Sequence, residues 1–446
     1  MKKHLILLII LGLSAVASAQ TGSDKKTIVS LDEAIRIALE KNYSTRSASL
    51  DLQRSELEKT KAKDNLLPSF DGVGRYGYSH GIDREMIFGI PFDPTGNHSL
   101  SYDLGGSLNI YAGGYDANRI ESSTRSLDAS KFTLKWTRQS IALDVVRSYV
   151  NALRTRELVS TSEKTLEQTK VQLERIKGLY QAGSVPIGQV YQQEAQLGQQ
   201  ELDLITAQNN FDNAKADLLY VLNVSANAYE RYDISATGID TSASSLKAKS
   251  VTIIPKEEEI QQVITTREDF AASRSLIMAS EASIGVTKST LLPRLDGDFG
   301  VRGSGADQEI GKIRVQDAYY GGLTLSVPLF DKMQNRIQVE QQEIDIEGLK
   351  INLEQQEQLY RSEIAKAMNA VRNADRAVDA AQRGLTAAEE SLRSAEERYR
   401  VGAGTQTDVI VAQATIQQAR TSSVNAIYTL LYAQKVLEYQ LGRWNY

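Results

Sequence analysis

A glycine string offers the first candidate chemistry. Gly72-Val73-Gly74-Arg75-Tyr76-Gly77 matches the dinucleotide fingerprint letter for letter. That motif works by opening a helix at its last glycine, so that backbone N–H groups and the helix dipole meet a pyrophosphate. Here His80-Gly81-Ile82-Asp83 follows instead and the stretch alternates with period two, so the glycines suit a tightly curved strand. The three histidines, His4, His80 and His98, form no metal-ligand cluster. The chain has no cysteine, which removes disulfides, thiolate metal sites and cysteine nucleophiles. Carboxylates such as Glu389-Glu390 and Glu396-Glu397-Arg398 sit at mixed-charge helical spacing, as on a solvated face. No nucleophile motif stands out. The chain reads as no enzyme, with no cofactor and no metal.

What, then, do the elements build? The 446 residues carry a net charge of −5, which argues against a nucleic-acid partner. Lys2 and Lys3, the apolar run from Leu5 to Val16, and Ala17-Ser18-Ala19 have the layout of a signal peptide over residues 1–19. No later stretch approaches ~18 uninterrupted apolar residues, so export is expected without a transmembrane helix.

The chain is written twice. Leu66-Leu67-Pro68 recurs as Leu291-Leu292-Pro293 at an offset of 225, and Asn118-Arg119-Ile120 as Asn335-Arg336-Ile337 at 217. Tyr180 and Gly183 recur as Tyr399 and Gly402 at 219, and Leu218 to Leu222 as Leu437 to Leu441. The expected units are a first repeat over 20–223, a linker or small irregular layer over 224–254, and a second repeat over 255–446. The first repeat carries eight extra residues between Pro68 and Asn118, as suits a variable loop.

Proline is absent between Pro94 and Pro186 and after Pro328, and these gaps are rich in helix formers. Ile364, Val371, Val378, Leu385, Leu392 and Tyr399 stand seven apart, with Ala367, Ala374, Ala381, Ala388 and Ala395 three residues after the first five. Val145, Ala152, Val159, Leu166, Leu173 and Tyr180 repeat that register in the first half. So do the returning segments Val190 to Leu218 and Val409 to Leu437, where Ser423 is the one polar member. Sustained heptads with small alternate residues predict closely packed coiled-coil hairpins. Gly183, Pro186, Gly402 and Gly404 mark their tips.

Four segments alternate instead, at about 68–80, 98–111, 293–303 and 318–330. Leu100, Tyr102, Leu104, Leu108 and Ile110, for example, face away from Ser99, Ser101, Asp103, Ser107 and Asn109. Apolar-out, polar-in strands of ~10 residues with terminal tyrosines predict a transmembrane barrel. Four strands cannot close one, and open edges are not tolerated in lipid. Three copies would supply twelve strands, making a homotrimer whose outer wall meets outer-membrane lipid. The hairpin loops, Ser79 to Asn97 and Gly303 to Asp317, are expected outside the cell.

From Leu31-Asp32-Glu33-Ala34 to Leu441-Gly442 the sequence resembles the TolC-type outer-membrane efflux channels. The resemblance rests on the duplicated Leu-Leu-Pro strand entries, the Val327-Pro328-Leu329-Phe330 exit and the two tip motifs. Those tips run from Tyr180 to Val185 and from Tyr399 to Val409. It implies a mostly α protein with a transmembrane β part. Its helical hairpins would form a periplasmic α-barrel below a twelve-stranded outer-membrane β-barrel. It further implies an exit duct of a tripartite efflux or type I secretion system. A periplasmic adaptor (membrane fusion) protein and an inner-membrane pump or ABC transporter would be its partners. Gly183, Ser184, Val185, Gly402, Ala403, Gly404 and Thr405 would be the adaptor-docking tips. Tyr399 matches the tyrosine of the family's gate tethers by motif position, and Asp408 an acidic ring. Tyr180 and Gln189 complete the candidate gate, with Gln189 standing where the family offers an acidic partner. Gly404 and Val411 replace a tethering arginine and a second acidic ring. The other function open at this stage is an exported trimeric coiled-coil stalk of adhesin type.

Overall fold

The structure, a computed structural model, describes residues 27–80, 85–87, 90–92, 96–225, 230–236 and 239–444. The signal peptide expected over 1–19 and residues 81–84, 88–89 and 93–95 of the first hairpin loop lie outside these residues.

The repeat is visible in helix lengths. α1 (Leu31–Lys41) and α2 (Tyr43–Asp64) precede β2 (Ser69–Ser79) and β5 (Asn97–Ala112), with the short β3 (Glu85–Ile87) and β4 (Ile90–Phe92) paired between them. α3 (Tyr115–Gln181) then runs 67 residues and α4 (Ile187–Val221) returns over 35. The second half repeats this with α6 (Glu257–Thr266), α7 (Glu268–Ser289), β7 (Arg294–Asp307) and β8 (Gln316–Ser326). α8 (Gln334–Arg400) and α9 (Gln406–Gln440) again measure 67 and 35 residues. At 1.5 Å per residue each long helix extends about 100 Å.

The heptad seams are where packing occurs. Val371 and Leu437 are fully buried, and Ile364, Ala367, Ala374 and Val378 join them in one core that also holds Val145, Ala152 and Leu218. Below the middle of the molecule α4 packs on α3, α3 on α9 and α9 on α8; above it the order is α2, α3, α7, α8.

Segment 224–254, read as linker or irregular layer, contributes regular structure among its described residues. β6 (Tyr232–Ile234) pairs in parallel with β1 (Thr27–Val29), and α5 (Ala243–Ile253) packs on α9. Strands this short carry no periodicity, so their partner is found through tertiary contact alone. Tyr149 anchors the layer from α3, donating to the carbonyls of Val29 (2.7 Å) and Ser235 (2.6 Å). Burial alone would raise the Glu438 carboxyl, yet Lys249 at 2.6 Å and Lys435 at 3.1 Å hold it below the ordinary carboxylate value. A depressed carboxylate stabilises the fold above its unfolded pKa, and that contribution disappears as pH falls through the folded value. Melting temperature should therefore fall on acidification below about pH 4, and Glu438→Gln should show a smaller drop.

The four long strands form one antiparallel sheet in the order β2-β5-β7-β8, so the two repeats join at β5–β7. Register places Phe70, Leu104, Val301 and Leu323 on one face and Asp71, Asp103, Arg302 and Tyr320 on the other. The apolar face is exposed, with Phe70 and Leu323 each 71 % accessible, as a lipid-facing surface must be. Two strand ends depart from expectation. β7 continues past 303 to Asp307, leaving an outer turn of 308–315 that contains a 3-10 turn at Ile310–Lys312. β8 stops at Ser326 instead of 330, because Pro328 lacks the N–H a ladder needs and disfavours its neighbours' pairing.

Candidate functional site

At the far end of each hairpin the helix stops in a left-handed glycine. Gly183 has φ 74° and Gly402 φ 78°. Ser184 N–H reaches Leu179 O at 2.8 Å, and Ala403 N–H reaches Arg398 O at 2.8 Å, the six-to-one closure of a Schellman turn. The restarts differ. Pro186 precedes α4 without a side-chain cap, whereas Thr405 and Asp408 form a reciprocal capping box on α9. Thr405 N–H donates to Asp408 Oδ2 at 2.9 Å, and Asp408 N–H to Thr405 Oγ1 at 3.2 Å. The Thr405 backbone N–H, with its hydroxyl as the lesser contributor, keeps the Asp408 carboxyl below its ordinary pKa, so it is ionised at neutral pH. Val185 and Gly404 are half-buried, while Gly183, Ser184, Gly402, Ala403 and Thr405 are exposed.

The tips of the two hairpins are clasped together. Tyr399 donates to Gln189 Oε1 at 2.7 Å. Its ring packs against both tip cores, Leu173-Ile176-Val190 of the first hairpin and Ala395-Val409-Ala412 of the second. Burial raises the Tyr399 pKa, so the hydroxyl keeps its proton. Of the candidate gate residues Tyr399, Asp408, Tyr180 and Gln189, the structure brings Tyr399 and Gln189 into contact, while Asp408 caps its own helix. Tyr180, expected in the same gate, is 43 % exposed and lies outside the clasp.

Two further residues join the clasp that sequence reasoning missed. Gln406 Nε2 donates to Gln189 O at 3.2 Å and to Gln193 Oε1 at 3.3 Å. Both glutamines are buried, and Gln193 Nε2 and Gln406 Oε1 have no hydrogen-bond partner. A signal existed. Gln193 and Gln200 occupy the seam position three residues after Val190 and Leu197, where the second half carries Ala412 and Ala419. Polar groups at a seam cost stability and specify register.

Each end of the layered structure also presents an unpaired edge. β2 and β8 bound the sheet. Above the middle, the edge helices α2 and α8 carry exposed apolar stripes of seven-residue spacing: Tyr43, Leu50 and Leu57 on one, Ile337, Ile344 and Ile351 on the other. Exposed apolar stripes at heptad spacing are halves of a coiled-coil seam. Among the described residues no group of His, Asp or Glu could hold a metal ion, and no helix is long and apolar enough to cross a membrane.

Comparison with known proteins agrees with this geometry. The outer membrane efflux protein family model matches residues 34–224 and 260–443. The chain is 24 % identical over 426 residues to the pyoverdine export outer membrane protein OpmQ of Pseudomonas putida, covering 92 % of this chain and 85 % of that protein. It is 23 % identical over 456 residues to the outer membrane protein TolC of Salmonella enteritidis, covering 100 % and 87 %. The fold is shared with the Campylobacter jejuni CmeC outer membrane channel (TM-score 0.74, 17 % identity, 92 % of this chain and 85 % of that one). The open-state Neisseria gonorrhoeae MtrE channel is similar at TM-score 0.69 and 18 % identity, over 92 % and 88 %. With both repeats matched, the chain belongs to the outer membrane efflux protein family, a family of outer-membrane channels and not of enzymes.

Proposed function

We propose that three copies of this chain close into one passive duct. It would be docked at its tips by a periplasmic adaptor and supplied by an inner-membrane pump. The observation that carries this reading is the pair of open edges: β2 and β8 in the sheet continue into the apolar stripes of α2 and α8 in the helical wall. Edge pairing of β8 with the next copy's β2 satisfies every backbone group that lipid would leave unpaired. The same rotation brings the Ile337-Ile344-Ile351 stripe against the next copy's Tyr43-Leu50-Leu57 stripe. Twelve strands and three pairs of coiled-coil hairpins follow, with the helices in the periplasm.

Topology is tested with Lys312→Cys in the exposed outer turn of a chain that has no cysteine of its own. A membrane-impermeant maleimide should label it on intact cells, and the labelled species should run as a trimer after mild detergent extraction. Labelling that requires permeabilised cells would reverse the topology.

The clasp at the tips is the gate in this reading. Tyr399, Gln189, Gln193 and Gln406 hold the two hairpins together without a charge, so opening should vary little with ionic strength. Three Asp408 carboxylates, one per protomer, ring the entrance and favour cations. Asp408→Asn should lower cation over anion preference in bilayer recordings with little effect on trimer yield. An unchanged reversal potential would leave Asp408 as a helix cap alone.

A further inference from the structure

Among the described residues the polar face of the sheet carries a single aromatic ring, and that ring lies along the wall. Tyr320 starts on β8, crosses β7 and donates its hydroxyl to Asp103 Oδ1 on β5 at 2.9 Å. The path exists because Gly105, Gly300 and Tyr320 share one rung of the sheet. A Cβ on Gly105 would stand 2.5 Å from the Tyr320 hydroxyl oxygen, and one on Gly300 would stand 2.7 Å from it. Arg302, the cross-strand partner of Asp103, covers the ring with its guanidinium carbon 5.0 Å from the centroid. The apolar face holds the mirror arrangement. Tyr102 crosses β7 at Gly303, where a Cβ would meet its ring at 2.5 Å, and donates to Asp317 Oδ1 at 2.5 Å. Each strap ties β5 to β8 across the strand between them.

The two straps differ in what lies beyond them. A ring released from the apolar face meets lipid; one released from the polar face enters the lumen. Twelve strands ~4.8 Å apart and tilted ~40° close a wall about 24 Å across between backbones. Three tyrosine rings swung inward would take much of that width. We propose that Tyr320 sets the bore of the duct at mid-barrel, and with it the upper size of cargo. Gly105 is the positioning residue that leaves the ring room against the wall. This rests on the duct reading above.

Gly105 is the better site to test, since a Cβ there meets first the end of the Tyr320 side chain and then the Asp103 carboxylate. At Gly300 it would strike Leu104 O at 2.5 Å and the Gly105 backbone at 2.8 Å, disturbing the ladder itself. Ser107→Cys places a thiol on the same face, one step nearer the helical end, paired with Asp298. Intact cells carrying it are exposed to maleimide-polyethylene glycols of graded size added from outside, a readout independent of the tips. The parent should be labelled up to a size limit. Gly105→Ala should leave labelling by the smallest maleimide unchanged and slow the largest passing polymer by about tenfold. Gly105→Ala with Tyr320→Ala should restore or exceed the parent's limit. Tyr320→Phe, which keeps both glycines and loses the Asp103 bond, should lie between. An unchanged limit in Gly105→Ala, or a double variant that stays narrow, overturns the proposal. Failure of even the smallest maleimide to reach Ser107→Cys in the parent would overturn the duct reading, and this proposal with it.

Discussion

Ile344→Glu should leave the chain exported and monomeric, with trimer and outer-membrane insertion reduced by an order of magnitude or more. The reason is geometric. Ile344 is 71 % exposed in one protomer and stands in the middle of the Ile337-Ile344-Ile351 stripe on the edge helix α8. In the proposed trimer the stripe would meet Tyr43, Leu50 and Leu57 of the next copy, whose exposures are 64–70 %. Burying such a side chain contributes about 1.5–3 kcal/mol, and a carboxylate put in its place would have to be desolvated without a partner. The loss occurs at three equivalent seams in one closed ring, so it is felt three times in one assembly equilibrium. Ile344→Val keeps the apolar surface and should keep the trimer. Size-exclusion chromatography of detergent extracts and outer-membrane fractionation read both variants. An insertion-competent Ile344→Glu trimer would mean that the stripe faces something other than a neighbouring copy.

The difference between what could and could not be read from residues alone follows the range of the interactions. Heptads and two-residue alternation are local signals, so the long helices and all four barrel strands were legible, as was the duplication that pairs them. Strand ends were less so. The stop of β8 at Ser326 was written in Pro328 two residues on, while the extension of β7 to Asp307 has no local mark and follows from β5 offering partners as far as His98. The β1–β6 pairing joins three-residue strands some two hundred positions apart, beyond any periodicity. At the tips, the repeat aligned Tyr399 with Tyr180, yet the clasp uses Tyr399 alone. The asymmetry lies in Gln189, Gln193 and Gln406, polar residues at or beside a seam whose partners appear only once the hairpins meet. The tyrosine straps are hidden for the same reason. Gly105 and Gly300 read as ordinary strand glycines until register sets them under a ring from a third strand.

Gly402→Trp should abolish export while the trimer still forms and inserts, and comparison with Gly402→Ala separates two causes. Gly402 has φ 78°, a conformation that costs any residue with a Cβ about 1–2 kcal/mol. Alanine and tryptophan both incur that strain, so a tip that merely ends a helix should suffer similarly from either. The space beyond the glycine decides the rest. A Cβ built on Gly402 meets nothing within 4 Å, and the same holds at Gly183, where φ is 74°. A side chain there starts into open space, at the tip of the helical hairpin. Exposed Ala403 and half-buried Gly404 continue that surface, and small residues there would let the hairpin of another protein approach backbone to backbone. Tryptophan should block that approach and alanine should leave most of it intact, so export from Gly402→Ala should stay within a fewfold of the parent. Cross-linking of an adaptor to the tip, measured beside export, should fall with tryptophan and persist with alanine. Equal loss of export in both variants, with cross-linking preserved, would reduce the glycine to a helix stop.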